Sequence, residues 1–140
     1  MKQEVVLHIR GQQSYDGQEP EVIELMTEGT MEFLDGGWDI SYEETELTGM
    51  AGVTTTFRVE PGKVILRRTG KLRSEMLFQQ GVRHESLYQL EFGAHLMTVT
   101  AKQVFFDIMP DGGVIDLMYN IEIENSAAGQ VDYHLDIRAK

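Results

Sequence analysis

The chain has 140 residues, 12 Lys plus Arg against 23 Asp plus Glu, and a formal charge of −11. That length suits a single domain over residues 1–140, able to hide roughly 65–70% of the surface an unfolded chain exposes and so to build a core without a metal or disulfide. A content of 41% hydrophobic and 25% charged residues excludes wholesale disorder, and the acidic balance argues against partners that are nucleic acid or membrane.

In chain order, the first element is a strand over 3–14. Its apolar run Val5-Val6-Leu7 is broken by His8 and Arg10, too soon for a signal sequence. No segment approaches the ~20 apolar residues of a membrane-spanning helix, so a cytoplasmic protein is the expectation. Alternation predicts a second strand over 21–34, with Ile23, Leu25, Thr27, Met31 and Phe33 on one face and Glu24, Glu28 and Glu32 on the other. Asp35-Gly36-Gly37 turns the chain into a third strand over 37–47, where Trp38, Ile40, Tyr42 and Glu44 share a face. Strands over 53–60 and 63–69 follow around Pro61-Gly62, then strands over 73–80, 84–92 and 95–109. After Asp111-Gly112-Gly113 comes a strand over 114–124, with Ile115, Leu117, Tyr119, Ile121 and Ile123 on one side. The last, over 131–139, sets Val131, Tyr133, Leu135 and Ile137 against Asp132, His134, Asp136 and Arg138. Each has one dry and one wet face, so much of the acidic charge is solvated exterior. About ten hairpin-linked strands with no helical stripe predict an all-β sandwich or up-and-down barrel.

Turn length fixes which side chains share a face. A turn on Pro61-Gly62 pairs Val59 with Val64, Phe57 with Leu66 and Thr55 with Arg68. A two-residue Asp111-Gly112 turn would pair Ile108 with Ile115, Phe106 with Leu117, Val104 with Tyr119 and Lys102 with Ile121. By this arithmetic Arg68, Lys102 and Glu44 all point inward. Unpaired charges in a solid core cost several kcal/mol, whereas a barrel of about eight or more strands has room for water or one small ligand. The reading is therefore a single antiparallel barrel of 8–10 strands.

At these residues the chain resembles the YwiB-like family of calycin-like barrels from Gram-positive bacteria. Tyr42-Glu43-Glu44, Gly49, Thr55, Arg68-Thr69-Gly70, Met76, Phe78, Gly81, Tyr88 and Gly93 carry the resemblance, which spans nearly the whole chain. It implies the barrel fold and brings no activity, ligand or catalytic residue. Gly36-Gly37-Trp38 matches the lipocalin Gly-x-Trp but follows the second strand instead of opening the first. Fatty-acid-binding proteins place a helical pair between strands one and two, for which residues 15–20 leave no space.

The chemistry-bearing residues are sparse. Zero cysteines remove thiolate catalysis and thiolate metal sites. His8, His84, His95 and His134 lack close ligand spacing, although pairing of the first and last strands would bring His8 near His134. Ser14, Ser41, Ser74, Ser86 and Ser126 have no nucleophile elbow around them. Glu43, Glu44 and Glu46 fit a strand end entering solvent as well as acid–base work, with Glu44 and Glu46 on one face. Gly49-Met50-Ala51-Gly52 lacks the Lys and following helix of a phosphate loop. No catalytic residue, metal or cofactor is expected.

Arg68 has two readings. It forms an internal ion pair with Glu44, supported by Thr55 and Tyr42, or it joins Lys102 in holding an anionic head group above a cavity lined by Phe57, Leu66, Met76, Phe78, Tyr88 and Phe106. The leading functional expectation is a non-enzymatic barrel for a small amphiphilic or anionic molecule. The second is an inert barrel that meets a partner through outward-facing Phe105 and Met118. An enzyme of other chemistry ranks third, and a homodimer stays open.

Overall fold

The computed structural model describes residues 2–14, 19–90 and 93–140. Its strands are β1 (Gln3–Ser14), β2 (Glu21–Leu34), β3 (Gly37–Glu43), β4 (Val53–Glu60), β5 (Lys63–Gly70), β6 (Ser74–Phe78), β7 (Arg83–Leu90), β8 (Gly93–Met109), β9 (Gly112–Ile123) and β10 (Ser126–Ala139). They form one antiparallel sheet in the order β6-β5-β4-β3-β2-β1-β10-β9-β8-β7, a meander whose first and last strands pair. The β1–β10 ladder runs from Val5 opposite Ala139 to Ser14 opposite Gln130, and it rolls the sheet round on itself.

The two sheet edges, β6 and β7, meet along a thin seam. Arg73 and Gln89 exchange two backbone hydrogen bonds of 2.8 Å. Nearer the β6–β7 turn, the Leu77 N–H donates to His84 Nδ1 at 3.3 Å. The result is the predicted barrel, nearly closed.

Alternation sorts most side chains as read from the sequence, although Ile23, Phe33 and Ile123, read on the dry face, are 54%, 56% and 42% exposed near strand ends. Val5, Leu7, Ile40, Phe57, Val64, Phe78, Ile115 and Leu135 are fully buried inside, each apolar side chain contributing roughly 1.5–3 kcal/mol by leaving water. The β4–β5 hairpin has the expected register, with Phe57 opposite Leu66 and Thr55 opposite Arg68. On the outer face Arg58 is only 8% exposed, because its guanidinium donates to Asp39, Glu60 and the Asp35 carbonyl. Gly37 makes room for it: a Cβ there would lie 2.9 Å from the guanidinium carbon.

Two sequence expectations need correction. The third strand ends at Glu43, and the chain enters a 3-10 turn over Glu46–Thr48. Thr45 Oγ1 caps that turn by accepting from the Leu47 N–H, and Gly49 closes it at φ 75°. Glu46 is therefore exposed and does not share a face with Glu44, which stays in line because its N–H donates to the Val53 carbonyl at 2.9 Å.

The β8–β9 hairpin turns on Pro110-Asp111, with Met109 opposite Gly112, not on Asp111-Gly112. Proline suits the first central position of a tight turn. Gly112 and Gly113 then lie too close to backbone for any side chain, since a Cβ would come within 2.2 Å of the Ile137 and 2.1 Å of the Asp107 carbonyl oxygen. Phe106 consequently faces Ile115 and Val104 faces Leu117, a two-residue slip that preserves their face. A bulge between Ala101 and Gln103 then reverses parity, placing Ala101 opposite Tyr119. Lys102 is thereby turned out of the lumen; it is exposed, with Nζ 3.5 Å from Gln130 Oε1.

Candidate functional site

The two halves of the barrel differ. At the end holding the β2–β3, β4–β5, β6–β7 and β8–β9 turns, Phe57, Val59, Val64, Leu66 and Phe78 pack the interior solid. Towards the opposite end the interior opens into a cavity of about 250 Å³. Every strand except β4 supplies part of its wall. Ile9, Leu25, Met76, Met97, Ile121 and Val131 form apolar surface, while Tyr42, Glu44, Arg68, Tyr88, Tyr119 and Tyr133 bring polar atoms.

Three tyrosines stand on the aromatic floor. The Phe57 and Tyr133 ring centroids lie 5.6 Å apart, and those of Phe78 and Tyr119 4.6 Å. The Tyr42 and Tyr133 hydroxyls contact each other at 3.4 Å. Burial pushes the Tyr42 hydroxyl up to about 12, with the nearby Glu44 charge adding to the rise and Arg68 opposing it. Burial likewise raises Tyr119 to about 12, again against Arg68, and lifts Tyr133 well above its ordinary value. All three are neutral phenols near pH 7, and one of the Tyr42 and Tyr133 protons is engaged in their mutual contact.

One β4 residue acts from behind the wall. Thr55 is fully buried and donates from Oγ1 to Glu44 Oε2 at 2.6 Å. Arg68 sits between Thr55 on β4 and Ser74 on β6 in register. Among the described residues, Arg68 Nε and Ser74 Oγ are both buried without a hydrogen-bond partner.

The expected site residues thus separate into groups. Tyr42, Glu44, Arg68, Met76 and Tyr88 line the cavity, and Thr55 positions Glu44. Phe57, Leu66 and Phe78 are the packed floor beneath it, and Phe106 is half-buried against the core, away from the cavity lining. Lys102 is outside. The sequence does not single out Tyr119, Tyr133, Met97 or Ser74 as site residues, although alternation in β9 and β10 turns both tyrosines inward.

The strand pairing that would join His8 to His134 forms, yet His8 stands opposite Asp136 and Arg10 opposite His134. Each imidazole meets a carboxylate instead, His8 Nε2 with Glu24 at 2.7 Å and His134 Nδ1 with Asp116 at 2.5 Å.

The fold and cavity define an all-antiparallel, ten-stranded β-barrel protein with a lumen solid at one end and hollow at the other. Residues 7–137 match the family described as Domain of unknown function (DUF1934), and the chain belongs to that family. It is similar to the "Uncharacterized beta-barrel protein YwiB" of Bacillus subtilis (strain 168), with 28% identity over 125 residues, spanning 88% of this chain and 86% of the relative. The crystal structure of the ywiB protein from Bacillus subtilis matches it with a TM-score of 0.89 at 22% identity, covering 99% of this chain and 93% of that one. The resemblance read from Tyr42-Glu43-Glu44 and Arg68-Thr69-Gly70 is met in sequence and in fold.

Proposed function

We propose that the hollow half of the barrel is a non-enzymatic binding pocket for a small amphiphilic or anionic molecule. The observation that carries this reading is the Arg68 side chain, a cavity-wall cation whose buried Nε has no hydrogen-bond partner among the described residues. A buried donor left in that state costs about 1–3 kcal/mol, more when charged, and an acceptor entering the cavity removes the cost. The apolar remainder of the wall suits a hydrocarbon or aromatic body. A volume of about 250 Å³ falls just below the roughly 300–1,000 Å³ of drug-sized pockets, which favours a small molecule over a long-chain lipid.

Native mass spectrometry of freshly purified protein tests this. The expected result is a non-covalent complex, either with a co-purified molecule or with added octanoate at one per chain. A bare chain in both preparations would refute the pocket.

The second reading keeps one supporting observation. Phe105 is 49% exposed on the outer face, two residues from Gln103, which pairs with Met118. An interaction surface there predicts that alanine at Phe105 and Met118 abolishes a measurable association and leaves octanoate binding intact.

A further inference from the structure

Resting on the pocket reading, we propose that Arg68 and Ser74 together form the anchor for one carboxylate, so that the occupant is a small monocarboxylate held head-first at the β5–β6 wall. The two residues are register partners on adjacent strands, so their side chains leave the same face of the sheet side by side. Ser74 is 6% exposed, and both its Oγ and Arg68 Nε are buried without a partner. Arg68's other register neighbour, Thr55, already donates its hydroxyl proton to Glu44. What remains among the described residues is two adjacent buried donors without an acceptor, the guanidinium N–H of the cavity-wall Arg68 and the hydroxyl of Ser74 beside it. A carboxylate has two oxygens in one plane and takes one bond from each, with the guanidinium bond charge-assisted.

The surroundings select among anions. Glu44 is buried in the same wall, and its charge and that of Arg68 both act on the Tyr42 hydroxyl. Glu44 already offsets the Arg68 charge, so every further negative charge is opposed, and a carboxylate monoanion meets less repulsion than a phosphate dianion. The neutral Tyr119 phenol, also in the wall, suits a carboxylate oxygen better than a second anion would. Met76 and Met97, unbranched and adaptable, face a hydrocarbon tail of variable shape.

The test is titration calorimetry of the full chain with octanoate, octanol and octyl phosphate, repeated for Arg68→Gln and Ser74→Ala with thermal melting as the check on folding. Octanoate is expected to bind one per chain, about tenfold or more tighter than octanol, as loss of a charge-assisted hydrogen bond dictates, and tighter than octyl phosphate at pH 8. Each variant should weaken octanoate by about tenfold while leaving octanol unchanged. Ser74→Ala should melt at or above the parent temperature, because the hydroxyl it removes has no partner to lose; if Arg68→Gln fails to fold, Ser74→Ala decides. Octanol binding as tightly as octanoate, tighter binding of octyl phosphate, or variants that weaken all probes equally would overturn the anchor while leaving the pocket standing. No heat from any probe with the folded parent chain would overturn both.

Discussion

Thr55 shows how a side chain that never touches the cavity shapes it. Its hydroxyl is committed to Glu44, which holds the carboxylate in the wall beside Tyr42. Thr55→Val keeps the shape and removes the donor to a charged acceptor, so chemical denaturation should read a loss of about 2 kcal/mol; an unchanged midpoint would show that this bond is dispensable. Three of the four cavity tyrosines, Tyr42, Tyr119 and Tyr133, make a second residue-scale prediction. Their folded-state values lie above the ordinary phenol value of 10, with Tyr42 and Tyr119 at about 12. Between pH 10 and 12 the unfolded chain releases phenol protons that the folded chain retains, so the tyrosine contribution is full below pH 10 and declines as pH rises through 12. The denaturation midpoint should fall between pH 9 and pH 11, and fall less in Tyr119→Phe; equal falls in both would contradict the assignment. Arg68 was legible as an inward cation from hairpin arithmetic alone. That its Nε lacks a partner among the described residues is not legible, because strand parity gives the face of a side chain and not the positions of the polar atoms around it.

At the scale of elements, the β4–β5 and β8–β9 hairpins mark where sequence reading holds and where it stops. Pro61-Gly62 admits one two-residue turn, and the register follows from it as observed. Around Met109-Pro110-Asp111-Gly112-Gly113 several turns compete; Pro110 favours the one that forms, and the close approach of Gly112 and Gly113 to the backbone of β10 and β8, which local composition does not contain, is consistent with it. The bulge near Lys102 is likewise a device of the rolled sheet, adding local bend and twist, and no turn residue announces it. Gly113→Ala should cost about 1–3 kcal/mol, because the added methyl meets the Asp107 carbonyl at 2.1 Å and the backbone must shift. A Tm equal to that of the parent would show the contact to be soft. The seam gives a further expectation. Hydrogen exchange should be slowest along β1–β10, which forms a continuous ladder, and fastest at the seam-facing amides of β6 and β7 outside the Arg73–Gln89 pair and the Leu77 N–H; uniform protection would mean a fully closed cylinder.

For the molecule as a whole, a meander whose ends pair and whose interior is filled from one side only explains both stability and the capacity to bind. The phenylalanine floor of Phe57 and Phe78 supplies close packing, and the tyrosines and Arg68 above it keep polar atoms in a space that side chains do not fill. Alternation revealed the barrel and its lining face. It does not reveal where filling ends, since volume depends on how ten strands tilt together, and so Phe57, Leu66 and Phe78, which parity places on the lining face, serve beneath the cavity. The central claim is that a small carboxylate enters the hollow half and nowhere else. Methyl-resolved NMR during octanoate titration tests it directly: shifts should concentrate on Ile9, Leu25, Met76, Met97 and Ile121, with Met26 and Met118 on the outer face unmoved. Shifts led by Met26 or Met118, or none at all at saturating octanoate, would contradict it.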